Sequence, residues 1–426
     1  MTWSSPTSLA TFSLFTDFDQ SFQNARWVVR RSTDGTLAVV YSARDPVTRA
    51  KGLSLHLLNP TTNTWTSLRL ERGSSAYARL FGLGSRDELR SAAMTTDGTD
   101  FFVAAERDTG TDKSIVVLRV QWPPVLGATW SLVGETVRVA HCGLPSIDWD
   151  TVGRRLLVAF HGTERGVVPV TNTNIYLWSI DPSRSLSTVP ELVDAADGSR
   201  QLPRSKDMAS VSTSEGRVVL AWRTIQQGAA RGAPYKGVMA MARGPLDRTS
   251  WIGVPRATVA GWPVENTNAS DPCALALPDG RGLVGYWRND PTSSVPEIRV
   301  SERGSRALSW SMSGSLAPAF TSLPSLARYH FFAHLERDDC RVIGVWEGRR
   351  YDLLTTASNG CYISGSVGSP QWAVPTDAGY FEVPGTGEVN SASSLFPGFC
   401  TGGGALHLVW LEQTTLTLQY ASGVIR

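Results

Sequence analysis

The sequence predicts an all-β chain folded as a single seven-bladed β-propeller of four-stranded blades, spanning residues 1–426 as one domain. Three observations predict it. One strand–turn–strand pattern recurs seven times, a tryptophan-led strand follows most copies, and the strand missing at the C-terminus is found at the N-terminus. A chain of 426 residues would ordinarily suggest two or three domains, but a repeat architecture absorbs such a length in one ring.

Each recurring segment is an apolar strand, a turn often carrying Asp-Gly, and a second strand ending in an aromatic. The copies are RWVVRRSTDGTLAVVY, LRSAAMTTDGTDFFVAA, LPSIDWDTVGRRLLVAF, DMASVSTSEGRVVLAW, DPCALALPDGRGLVGYW, YHFFAHLERDDCRVIGVW and SSLFPGFCTGGGALHLVW. Their turn residues are Gly35, Gly98, Gly153, Gly216, Gly280, Asp339 and Gly403, spaced 63, 55, 63, 64, 59 and 64 positions apart. A third strand follows each copy: LSLHLL, SIVVLRV, NIYLWSI, KGVMAMA, EIRVSE, YDLLTT and LTLQYA. Trp65, Trp130, Trp251, Trp310 and Trp372 then open a fourth strand, and the third repeat lacks its copy. Four such strands in a meander make a propeller blade.

The chain stops at LTLQYASGVIR, where a seventh tryptophan strand is due, and Met1-Thr2-Trp3-Ser4-Ser5-Pro6 matches it. The N-terminal residues 1–12 are therefore expected to complete the seventh blade and close the ring, which removes a free sheet edge. Tyr41, Phe160, Trp222, Trp287, Trp346 and Trp410 recur just after the turns and read as packing between blades.

Composition limits the function classes. Hydrophobic residues are 42% and charged residues 18%, enough apolar material for a core, and a net charge of +2 marks no nucleic-acid or membrane-surface protein. Lysine occurs only at 51, 113, 206 and 236, so the positive charge is nearly all arginine. Cys142, Cys273, Cys340, Cys361 and Cys400 form no CxxC pair and read as reduced, buried thiols, with a Cys340–Cys361 bond as the one alternative. MTWSSPTSLATF has no basic n-region or sustained apolar stretch, and no apolar run has transmembrane length. The expectation is a cytoplasmic or virion protein without membrane insertion, in which the Asn268 sequon carries no weight.

The pattern resembles the sialidase-like propellers with BNR (Asp-box) repeats, over nearly the whole chain. SERGSRALSW and ARGPLDRTSW keep the glycine and tryptophan of S-x-D-x-G-x-T-W at altered spacing. The resemblance implies an arginine at the start of an inner strand in an (F/Y)-R-I-P motif, a second at the end of the next strand, and an acid/base aspartate. Arg26 with Arg44 and Asp45, and Arg90 with Arg107 and Asp112, have that outline without the Ile-Pro. The implied Tyr/Glu nucleophile pair falls on no motif, with Tyr351 and Glu265 the conceivable members, and the family uses six blades where seven are counted here. No catalytic residue is assigned.

A reading independent of family places first-strand starts and second-strand ends around one funnel. There lie Arg44, Arg107, His161, Arg223, Arg288, Glu347 and Glu412, with Arg26, Arg90 and Arg328 at first-strand starts. Converging guanidiniums suit carboxylate, sulfate or phosphate groups. The expected binding set is Arg26, Arg44, Arg90, Arg107, His161, Arg223, Arg288 and Arg328, and the partner an acidic glycan or protein patch. The competing reading is a rim of arginines paired with Asp45, Asp108 and Asp290.

Other signals carry less. His330 and His334, four apart on a strand, are separated by roughly 13 Å, too far to share a metal. No cofactor, nucleotide or nucleic-acid motif is present. The Gln226–Pro234 loop reads as a surface insertion. Three functions follow: a non-catalytic binding or scaffold propeller, possible as a phage-tail-like virion component within a larger assembly; a sialidase-like glycoside hydrolase; and a lectin with one site per blade. The last is disfavoured because the repeats share only packing and turn positions.

Overall fold

A computed structural model of the chain describes residues 4–12, 28–45, 47–82, 87–121, 130–136, 139–164, 173–184, 189–194, 204–226, 235–243, 262–265, 269–289, 296–303, 311–315, 334–338, 341–351, 356–366, 380–382, 395–412 and 415–424. Among these residues it is an all-β protein of seven four-stranded antiparallel sheets.

The first sheet holds Val28–Arg31, Leu37–Arg44, Lys51–Asn59 and Thr64–Glu71. The second holds Glu88–Thr96, Phe101–Asp108, Lys113–Val120 and Trp130–Glu135. Val139–Asp150, Arg155–Glu164, Asn174–Ile180 and Glu191–Asp194 form the third. Arg204–Ser214, Arg217–Gln226, Tyr235–Arg243 and Trp262–Glu265 form the fourth. The fifth comprises Ala269–Ala276, Gly282–Asn289, Pro296–Arg303 and Ser311–Ser315. The sixth comprises His334–Asp338, Arg341–Tyr351, Thr356–Ser366 and Tyr380–Glu382. In the seventh, Leu395–Gly402, Ala405–Glu412 and Thr417–Val424 are joined by Thr7–Thr11 from the other end of the chain.

The hairpin turns follow from their residues. Gly35, Gly98, Gly216, Gly280 and Gly403 all take positive φ, the conformation that glycine adopts without a Cβ clash. In the third hairpin the positive φ falls on Arg154 instead of the expected Gly153, while Asp339 lies outside the described residues. Asp34 fastens its turn by accepting from the Thr36 amide at 2.8 Å and from the Ser32 hydroxyl.

The closing strand lies further along than the tryptophan match suggested. Pro6 has no N–H to donate, whereas Thr7–Thr11 pairs Thr7, Ser8, Ala10 and Thr11 with Tyr420, Gln419, Leu418 and Thr417, with a register shift at Leu9. Upstream, the Ser4 amide donates to the Ser422 carbonyl at 2.8 Å and Ser4 Oγ accepts from the Ser422 amide at 3.0 Å; Trp3 lies outside the described residues. YDLLTT is likewise not a third strand: the second strand of the sixth sheet runs on to Tyr351, and the third begins at Thr356. Trp65 and Trp130 sit in fourth strands as expected. Trp251, Trp310 and Trp372 lie outside the described residues, and the fourth sheet draws its outer strand from Trp262.

The core lies between sheets. Leu53, Leu55, Leu57 and Leu70 of the first sheet pack with Leu89, Val103 and Val116 of the second. The same holds between the second and third, third and fourth, fourth and fifth, and seventh and first sheets. Tyr41, Phe160 and Trp222 are buried in these layers, as packing residues should be, and Trp410 is buried as well; the side chains of Trp287 and Trp346 lie outside the described set.

The first strand of each sheet lies beside that of the next, and the seventh beside the first. Each such strand is a sheet edge with unpaired amides, and neighbouring side chains satisfy them. Ser146 Oγ accepts from the Val211 amide at 3.1 Å and Asp148 Oδ2 from the Thr213 amide at 2.7 Å. One sheet on, Ser210 and Ser212 accept from the amides of Ala274 and Ala276 at 3.0 and 3.1 Å. These bonds put the hairpin turns of the third, fourth and fifth sheets on one side and their open hairpin ends on the other.

Candidate functional site at the open hairpin ends

Ladder register slips at one place in most first strands: after Arg90, Gly143, Asp207, Ser270 and Leu395. In three of these bulges the extra residue takes a positive φ: Ser91 at 51°, Leu144 at 52° and Met208 at 52°. A bulge re-aims the side chains beside it, and positive φ on a residue with a Cβ costs of order 1 kcal/mol or more. The (F/Y)-R-I-P motif would put its Ile-Pro at this slip. Pro145, Pro272 and Pro397 occupy it in the third, fifth and seventh sheets, without a preceding arginine, and Arg90 is followed by Ser91-Ala92.

The bulges fix which second-strand residues are equivalent. Arg90 faces Glu106, Gly143 faces His161, Asp207 faces Arg223 and Ser270 faces Trp287. Counting from the second-strand aromatic instead selects Arg107 and Arg288, each one residue beyond these positions. One residue along a strand turns the side chain to the other sheet face. The second sheet has Ala105 where the others have Tyr41, Phe160 or Trp222, and the fifth has Tyr286 there, so the aromatic was a misleading ruler.

Arg107 accordingly points toward the first sheet. Its guanidinium binds Asp87 and, at 2.8 Å, Glu135, and lies 4.7 Å from the centre of the Phe81 ring. Burial opposes its charge, but Glu135 and Asp87 outweigh it and raise the arginine's pKa. Phe81 ends a short helix, Ser75–Phe81, capped by Ser74 and Gly82. Sequence periodicity did not reveal this helix, although a serine cap, seven helix-tolerant residues and a glycine stop spell it.

From the first sheet across the open end of the second, ion pairs form a chain. Lys51 lies 4.0 Å from Glu88, Glu88 binds Arg90, Arg90 reaches Asp108 at 3.3 Å, and Lys113 joins Asp108 at 3.9 Å to Glu106 at 2.6 Å. Glu106 is 5% exposed. A Cβ at Gly143 would lie 2.9 Å from His161 Nε2 and 3.1 Å from Glu106 Oε2, so this glycine lets the carboxylate and imidazole converge across two sheets. The sequence reading passed over Glu106; its register with Arg90 is the signal that would have found it.

The remaining expected residues fall as follows. Arg223 is 4% exposed, deep at its hairpin end. Arg44 is half-buried, its Nε is buried without a hydrogen-bond partner, and it makes no ion pair among the described residues. Asp45 does not serve Arg44: it accepts the Val47 and Thr48 amides at 2.8 and 2.7 Å and lies 3.7 Å from Arg69. Those bonds, the Thr48 amide first, hold its carboxyl below the usual range. Asp112 likewise accepts backbone amides, of Lys113 and His141. Arg288 sits in the second strand of the fifth sheet with its side chain outside the described set; Arg26, Arg328 and Asp290 lie outside the described residues altogether. The structure thus brings Arg90, Glu106 and His161 together, sets Arg107 apart, and leaves the competing reading of Asp108-paired arginines true of Arg90.

Glu265 ends the outermost strand of the fourth sheet and Tyr351 the second strand of the sixth, with both side chains outside the described set. Cys142, Cys273 and Cys400 are buried free thiols, and Cys340 lies outside the described residues. His334 begins a strand, and His330 lies outside. Among the described residues no group of three His, Cys, Asp or Glu side chains is placed to hold a metal, and no helix is long and apolar enough to cross a membrane.

No family model matches the chain, and no characterised protein matches it by sequence. Solved structures do resemble it in shape. A polysaccharide lyase described as an ulvan lyase superposes with a TM-score of 0.55 at 8% identity, over 93% of both chains. An α-L-arabinofuranosidase from Fusarium graminearum superposes at 0.50 and 11% identity, over 81% of this chain and 92% of that one. The sialidase of Trypanosoma rangeli gives 0.47 at 11% identity, over 98% of this chain and 59% of the other. The likeness to the polysaccharide lyase and the arabinofuranosidase is one of fold, carried by the four-stranded antiparallel sheets.

Proposed function

We propose that the seven sheets are the blades of one seven-bladed propeller, a single domain whose ring is closed by residues 1–12. We propose further that it is a non-catalytic binding or scaffold protein, recognising an acidic glycan or acidic protein patch at the open hairpin ends. Arg44 is the observation that carries this reading. Its guanidinium stands at that face with a buried, unpartnered Nε, whereas Arg90 and Arg107 are held by carboxylates. Unpaired buried donors favour a ligand that supplies acceptors. Arg223 deepens the same face, with Arg26, Arg288, Arg328 and His161 as its further members; Arg90 and Arg107 frame it. A virion or a cytoplasmic assembly is the setting proposed.

Glu106 supports a second reading, a sialidase-like glycoside hydrolase. A buried carboxylate beside Lys113 and His161 is the kind of group that glycoside chemistry requires. The carbohydrate-directed activities named for the ulvan lyase and the arabinofuranosidase suggest a polysaccharide as substrate class.

The test is a binding screen on acidic and neutral glycans at low and high salt, run beside a fluorogenic sialoside hydrolysis assay. Salt-sensitive binding of acidic glycans, lost in Arg44→Gln and Arg223→Gln and without turnover, is expected. Turnover abolished by Glu106→Gln would replace the binding reading with the hydrolase. Salt-independent binding of neutral glycans would refute the anionic partner.

A further inference from the structure

The seam between the seventh and first sheets holds a buried histidine, His56, and a half-buried one, His407. His56 lies in the third strand of the first sheet, 5% exposed. Its Nε2 is 2.9 Å from the Tyr41 hydroxyl and its Nδ1 is 2.8 Å from Ser67 Oγ. In the neutral ring one nitrogen accepts and the other donates, and the hydroxyls could accept from both nitrogens of a charged ring, so what opposes the charge is burial. Across the seam, His407 Nδ1 is 3.0 Å from the Tyr420 hydroxyl, the rings stacking at 6.2 Å.

These groups belong to one apolar cluster. Tyr41, Leu37 and Val39 of the first sheet pack there against Val409, Leu418 and Tyr420 of the seventh, with Leu9, Ala10 and Phe12 of the closing segment. Phe12 meets Tyr41 edge-on at 5.8 Å and Trp65 meets Tyr420 at 5.2 Å. The charge around the rings is cationic. Arg31 acts on His407 from the neighbouring first strand, and Arg69 lies near Tyr41 with its own charge taken by Glu71 and Asp45. The first sheet otherwise contributes Ser54 and Ser67, the seventh Cys400 and Ser422, and the Thr7–Thr11 strand no ionisable side chain. Among the described residues no carboxylate pairs with either imidazole.

We propose that this seam is an acid-opened latch: His56 and His407 hold the seventh sheet and its N-terminal strand against the first only while both rings are uncharged. Protonation would put two cations into an apolar layer that offers them no anion. The response would be local, because the Thr7–Thr11 strand is an edge strand, paired on one side only, with Thr417–Val424. Its release would bare the Thr417–Val424 edge, an unpaired strand open to a partner. Burial holds both rings near pKa 4 against 6.5 when exposed. Acidification to pH 5 therefore favours the opened seam by about 30-fold per histidine.

Hydrogen–deuterium exchange on the full chain, corrected for intrinsic rate, tests this at pH 7.5 and pH 5. Protection across Thr7–Thr11 and Thr417–Val424 should fall by at least tenfold on acidification, with the second to fourth sheets unchanged. His56→Gln and His407→Gln should each remove part of that response; His407→Gln also serves alone if the buried His56 variant fails to fold. Seam protection that is independent of pH, or lost equally in all sheets, overturns the latch. So does a pH response undiminished in His407→Gln.

Discussion

Removing the hydroxyls of Ser210 and Ser212 should destabilise the protein far more than surface serines do. Both belong to the first strand of the fourth sheet, and each accepts the amide of a residue in the fifth, Ala274 or Ala276. Those alanines are 5% and 4% exposed, so water cannot readily take the place of the lost acceptor. A buried amide left without a partner costs about 1–3 kcal/mol, so Ser210→Ala with Ser212→Ala should cost roughly 2–6 kcal/mol together. The removed atoms are few, so little of that can come from packing. Urea unfolding of each single variant and of the pair would measure it, with the exposed Ser183→Ala as a control expected within about 0.5 kcal/mol of wild type. A double variant as stable as Ser183→Ala would show that the inner strand edges are not satisfied by the neighbouring sheet, and the account of how the sheets are joined would fall.

Two further predictions follow from close contacts and buried hydroxyls. Gly52→Ala would place a Cβ 2.5 Å from the Leu70 carbonyl oxygen and 2.8 Å from Glu71 Cβ; a loss of about 1–3 kcal/mol in unfolding free energy is expected, and none would mean that the first sheet yields there. Burial pushes the Tyr41 and Tyr420 hydroxyls up to about 12. A raised tyrosine contributes stability that is complete below pH 10 and lost as pH climbs toward 12, about 2.7 kcal/mol for each ring. Ultraviolet titration should show two late-ionising tyrosines, one disappearing in Tyr41→Phe, and uniform ionisation near pH 10 would contradict it.

The repeat was legible because hairpin turns and strand alternation are local physics. STDGT, TTDGT and LPDGR announce their turns through glycine and aspartate, and NIYLWSI is a strand from end to end. The strand pairing of the two chain ends was legible too, since a four-strand pattern left one strand unaccounted for. Its extent was less so: the tryptophan of MTWSSP drew attention to residues 1–6, of which Ser4 bonds to Ser422, while the ladder runs over TSLAT, which carries no such marker.

The site was harder to read. Which side of a strand a residue faces depends on register, and register here is set by a bulge that the sequence does not announce. Ser91, Leu144 and Met208 share no side-chain chemistry, yet occupy the same unusual backbone conformation. A miscount of one residue moved attention from Glu106 to Arg107. Pairing was similarly hidden, because Asp45 adjoins Arg44 in sequence but turns to its own loop amides and Arg69. The inner-strand serines escaped notice because their partners lie 64 residues away, in the next repeat.

Every statement about a common face depends on the chain closing into one ring, and a cross-link tests that most directly. The hydroxyls of Thr11 and Thr417 lie 3.4 Å apart, 406 residues from one another along the chain. Thr11→Cys combined with Thr417→Cys should oxidise to an intramolecular disulfide, leaving a monomer of raised thermal stability and altered mobility on a non-reducing gel. Thiols that stay reduced under mild oxidation, or that bridge only between molecules, would contradict the closure and the ring built on it.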